Sequence, residues 1–63
     1  MKSSELKEKS DQELVELERQ LRDELFRMRM KHYSGQLQDV AQMRTKRRDI
    51  ARILTVRSER RNG

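Results

Sequence analysis

Three arginines, Arg44, Arg48 and Arg52, recur at every fourth residue, and Thr55 follows three residues later. On a helix this spacing gathers them along one side. Each guanidinium is a planar fork of donors that meets phosphate oxygens two at a time. A hydroxyl such as that of Thr55 can donate to a phosphate or to a ribose 2′-hydroxyl. The pattern supports recognition of a polyanion. The plainer alternative is a solvated charged face in which Asp49 pairs with an arginine one turn away; exposed pairs of that kind contribute little. Membrane surfaces and acidic proteins also attract basic helices.

No comparable set exists for catalysis or metal binding. His32 is the only imidazole and cysteine is absent, so His32 has no His or Cys partner to complete a metal site. No nucleophile stands at a telling spacing from it either. Its place near the end of a helix suits a cation favoured by the helix dipole. The carboxylates are spaced for dipole and intrahelical pairing, and no glycine-rich phosphate loop occurs. The sequence therefore predicts a protein that is not an enzyme and has neither cofactor nor metal.

The charge balance locates the polyanion-binding element. The chain has 63 residues and a net charge of +5. Residues 1–34 are balanced, with eight Lys/Arg against eight Asp/Glu, so residues 35–63 carry the whole excess. A chain of this length buries only about 60% of its unfolded surface and gains from a partner. Without cysteine it has no disulfide to help, which favours a reduced, intracellular setting. No apolar run exceeds two residues, so neither a transmembrane helix nor a signal peptide is expected.

Two long helices must position these residues, within a single domain over 1–63. Ser10-Asp11-Gln12-Glu13 reads as a capping box. Behind it Leu14, Leu17, Leu21, Leu25 and Met28 form one stripe at helical spacing. Ser34-Gly35 is a stop signal, so the first helix spans about Asp11 to Tyr33. Residues 34–39 form a short link that turns the chain antiparallel. Asp39 and Gln42 then suggest a second cap, opening a helix from Val40 to about Glu59. Its seam is predicted to be Val40, Met43, Ile50, Ile53 and Leu54, with the arginine stripe facing away. Before Ser10, residues around Leu6 form one helical turn, with Leu6 folding back on the hairpin. From Arg60 onward the tail is expected to fray. The fold class is all-α, a long antiparallel two-helix hairpin.

The first helix also carries Val15, Phe26, Met30 and Tyr33, well away from its leucine stripe. A two-helix hairpin covers one face of each helix. Either Leu6 and helix curvature shield part of this group, as scattered exposed apolar residues require no further account, or Phe26, Met30 and Tyr33 form a protein-docking face. Arg19, Arg22 and Arg29 lie beside them, which suits a mixed protein and RNA surface.

Glu5-Leu6, Ser10-x-x-Glu13-Leu14, Glu24-Leu25-Phe26-Arg27-x-Arg29, Ser34-Gly35-Gln36-Leu37 and Arg47-Arg48-Asp49-Ile50-Ala51-Arg52-Ile53-x-Thr55 follow in that order. Together they resemble the bacterial large-subunit ribosomal protein L29 family over essentially the whole chain. The resemblance implies a helical hairpin that binds 23S ribosomal RNA at the rim of the polypeptide exit tunnel, beside ribosomal protein L23. It also implies a ribosome-bound, cytoplasmic location, with tunnel-exit factors such as nascent-chain chaperones as further partners. Carried over by position, RNA contact falls on Arg47, Arg48, Arg52 and Thr55, and on Arg29 and the Gly35-Gln36 turn; the stripe adds Arg44. Two positions depart from the family pattern. Lys46 stands at a seam angle where a small apolar residue is usual, so either its stem packs while the ammonium escapes or the seam opens locally. Asp39 replaces an Asn or other polar residue.

Two rivals belong to other classes. One is a non-catalytic, coiled-coil-like adaptor using both apolar stripes, which Lys46, Arg47 and Arg57 weaken by interrupting the second helix. The other is a membrane-surface amphipathic helix, which lacks the aromatic-rich apolar face such helices use.

Overall fold

Ser10 begins the first long helix by a reciprocal exchange. Its hydroxyl accepts from the Glu13 N–H at 3.1 Å, and Glu13 Oε1 accepts from the Ser10 N–H at 3.2 Å. Two amides that the start of a helix leaves unpaired are thereby satisfied. The structure, a computed structural model, describes residues 2–35 and 40–62. It contains three helices: α1 (Ser3–Lys7), α2 (Asp11–Tyr33) and α3 (Val40–Asn62). Gly35 closes α2 with φ +82°, a left-handed conformation that glycine adopts without a Cβ penalty. The Ser34 hydroxyl donates to the Lys31 carbonyl at 2.8 Å, satisfying one of the last free acceptors. The predicted cap at Asp39 lies outside the described residues.

α2 and α3 run antiparallel, as their ion pairs record. Asp11 meets Arg60, Glu18 meets Arg57 and Glu24 meets Lys46, so one numbering falls as the other climbs. The hairpin is a rod of 43 × 17 × 17 Å. Its core is a single file of Leu6, Leu14, Leu21, Leu25, Ile50, Ile53 and Val56, with Leu17 and Met43 packed at the margin. The short α1 packs against α3 and seats Leu6 fully buried in that file. The protein is thus an all-α, antiparallel helical hairpin with a short N-terminal helix.

Four expectations need correction. Leu54, assigned to the seam, is 41% exposed, and Val40 is 43% exposed. The seam is centred on Ile53 and runs from Ile50 to Val56, which turns Leu54 about 100° away. Val56 and Asp49, neither assigned to the seam, are buried. No buried side-chain polar atom among the described residues lacks a hydrogen-bond partner, so Asp49 belongs to the hairpin and not to a solvated face. Leu6 enters the core between α1, α2 and α3, leaving Val15, Phe26, Met30 and Tyr33 exposed.

Finally, the helix does not fray from Arg60 to Asn62. Arg60 fastens it, donating to Asp11 Oδ1 at 2.7 Å and to the Lys7 and Lys9 carbonyls at 3.0 and 2.6 Å. Lys46 resolves the seam question by packing its stem while Nζ reaches Glu24 Oε2 at 2.6 Å.

Candidate nucleic-acid interface

Packing separates two groups among the arginines that flank the hairpin. Those beside the seam or on the acidic flank of α2 have carboxylate partners. Arg57 reaches Glu18 at 2.7 Å, Arg22 reaches the same carboxylate at 2.8 Å, and Arg27 reaches Asp23 at 3.2 Å. Burial by itself would raise the Glu18 pKa, but the hydrogen bonds from Arg22 and Arg57 outweigh it and hold the carboxyl below its ordinary range. Glu13 is also lowered, chiefly by the hydrogen bond from the Ser10 backbone.

The second group faces outward. Arg44, Arg47, Arg48 and Arg29 are exposed and form no ion pair with a described residue. Arg44 and Arg48 lie on the side of α3 away from Ile53, and Arg52, also exposed, lies nearer the edge of the seam. The predicted stripe is therefore displayed on the surface, slanting across α3 as residues four apart do.

Thr55 sits on the same side but is oriented differently from the expectation. Its hydroxyl donates to the Ala51 carbonyl at 3.0 Å. What it offers outward is an acceptor, which fits a ribose 2′-hydroxyl and not a phosphate. Lys7, which the sequence did not link to the stripe, lines a shallow depression with Arg48, Arg52 and Thr55. Only the docking of α1 on α3 creates that neighbourhood, and no spacing within the sequence signals it.

An open groove of about 390 Å³ runs between the two long helices on another side. Arg22, Leu25, Phe26 and Arg29 of α2 line it, with Arg47, Ile50, Ala51 and Leu54 of α3. Two predicted RNA residues, Arg29 and Arg47, thus line the same groove as Phe26, a residue assigned to protein docking. Met30 and Tyr33 are exposed but do not line the groove. Gln36 lies outside the described residues.

His32 is exposed, with its ring 6.0 Å from that of Tyr33. Among the described residues no three of His, Cys, Asp and Glu gather as metal ligands, and no helix is long and apolar enough to cross a membrane.

A family model described as Ribosomal L29 protein matches residues 4–60. A protein named large ribosomal subunit protein uL29 from Nitratiruptor sp. is 51% identical over 63 residues, covering 100% of this chain and 98% of the relative. The protein of that name from Carboxydothermus hydrogenoformans is 48% identical, covering 95% of this chain and 87% of the relative. For the one from Geobacter sulfurreducens the identity is 44%, with 97% and 98% covered.

Proposed function

The chain belongs to the ribosomal L29 protein family, and on that premise we propose that it is a structural constituent of the large ribosomal subunit, binding 23S ribosomal RNA near the polypeptide exit tunnel. One observation carries the RNA reading: Arg44, Arg47 and Arg48 of α3, with Arg29 of α2, are exposed and form no ion pair with a described residue. The half of the chain containing α3 also holds the whole net charge of +5. Guanidiniums displayed in this way are placed to meet RNA phosphates, whose neutralisation releases counterions.

Arg44, Arg48 and Arg52 follow the RNA backbone, with Lys7 beside them. Arg47 and Arg29 make contact from the neighbouring side, Thr55 accepts from a 2′-hydroxyl, and Gln36 extends the contact at the turn. Guanidinium-to-phosphate contacts fix position and carry no base information. The protein therefore positions and neutralises folded RNA without reading a sequence or catalysing a reaction. Ribosomal protein L23 is its neighbour, tunnel-exit factors such as nascent-chain chaperones dock nearby, and the protein is ribosome-bound in the cytoplasm.

The test is binding to a 23S ribosomal RNA fragment across a salt series. Replacing Arg44, Arg48 and Arg52 together by Gln should flatten the slope of log affinity against log salt by about two to three units. Gln and Arg have similar helix propensities, so helicity by circular dichroism should stay level. The control is Arg19→Gln with Arg27→Gln, two exposed residues already paired with Glu16 and Asp23. An unchanged slope in the triple variant would refute the assignment of the stripe to RNA.

A further inference from the structure

We propose that the groove between α2 and α3 holds one unstacked nucleotide of the RNA, its base against Phe26 and its flanking phosphates against Arg29 and Arg47. This rests on the RNA-binding reading above and adds a different surface and a different kind of contact. Phe26 is 62% exposed and Leu54 is 41% exposed, and both border the same groove although they come from different helices. Ala51, the smallest side chain of the lining, borders it too.

The lining includes three arginines and no carboxylate. Arg22 is tied to Glu18 through Nε, whereas Arg29 and Arg47 have no ion-pair partner among the described residues. An occupant that suits this lining places a flat apolar face beside Phe26 and negative charge at Arg29 and Arg47. A nucleotide has that arrangement, since every base has a π-face and is flanked by phosphates. An apolar protein helix would instead cover Arg29 and Arg47 without counter-charge, which costs free energy.

The experiment uses the full chain and the same 23S ribosomal RNA fragment. Phe26→Ala removes an exposed ring and no charge. It should weaken binding about tenfold or more by loss of stacking, with the salt slope unchanged. Phe26→Trp should restore affinity. Arg29→Gln with Arg47→Gln should flatten the slope by about 1.5 units. In reconstituted large subunits, a photoreactive phenylalanine analogue at position 26 should cross-link to a ribosomal RNA base.

Unchanged affinity for Phe26→Ala, with the Arg44, Arg48 and Arg52 triple variant still flattening the slope, overturns the groove proposal and leaves the RNA reading standing. Cross-linking to a protein overturns it in favour of protein docking. Failure of the wild-type chain to bind the RNA overturns both.

Discussion

Ile53 and Leu54 are adjacent isomers, so cutting either to alanine removes the same three carbons. The fold treats them differently: Ile53 is completely enclosed, whereas Leu54 is 41% exposed. Ile53 lies in the core file with Leu6 and Leu14, which are also fully enclosed. Its truncation carries both a transfer cost and a cavity cost, about 3–4 kcal/mol within the usual range for buried aliphatic residues. Leu54→Ala loses roughly half the value of a buried leucine, about 1 kcal/mol, and solvent fills the space. Alanine's better helix propensity returns a few tenths of a kcal/mol (~0.2–0.4) in each case.

A chain of this size has a total stability of about 3–9 kcal/mol, so Ile53→Ala should remove a third of it or more. Urea denaturation followed by circular dichroism gives both losses, with midpoint and slope read separately. Equal losses for the two variants would refute the reasoning, because the seam would then lie between residues 53 and 54 and not on Ile53.

Two further outcomes follow from the ion pair at Glu18 and the helix cap at Ser10. The Glu18 pKa is lowered in the folded state, so its contribution is present above the ordinary carboxylate pKa and is lost as pH falls through the folded value. Urea melts should show Glu18→Gln less stable than wild type at neutral pH, with the gap closing in acid below that folded pKa; a gap that ignores pH would refute the pairing. Ser10→Ala removes the acceptor for the Glu13 amide and should cost about 1 kcal/mol. A thermal melt identical to wild type would mean that the capping box contributes nothing.

Local rules made much of this protein readable from its residues. The capping box at Ser10, the leucine stripe from Leu14 to Leu25 and the stop at Gly35 depend on neighbours within one or two turns, and the structure shows each of them. The arginine periodicity is equally local, so the outward display of Arg44 and Arg48 was legible too. What a helical wheel leaves open is its rotation against a partner. Leu54 and Val56 are both apolar and both near the seam, and only the packing of α3 on α2 and α1 exposes the first and buries the second.

Charges show the same division. Arg22, Arg29, Arg47 and Arg60 are one residue type with one intrinsic chemistry. Antiparallel register gives Arg60 to Asp11, α2 holds Arg22 against Glu18, and Arg29 and Arg47 line one groove with Phe26. Periodicity along a chain decides which residues share a face of one helix. Contacts between residues far apart in sequence depend on how helices dock, so only the tertiary structure decided which arginines brace the hairpin and which are left for a phosphate.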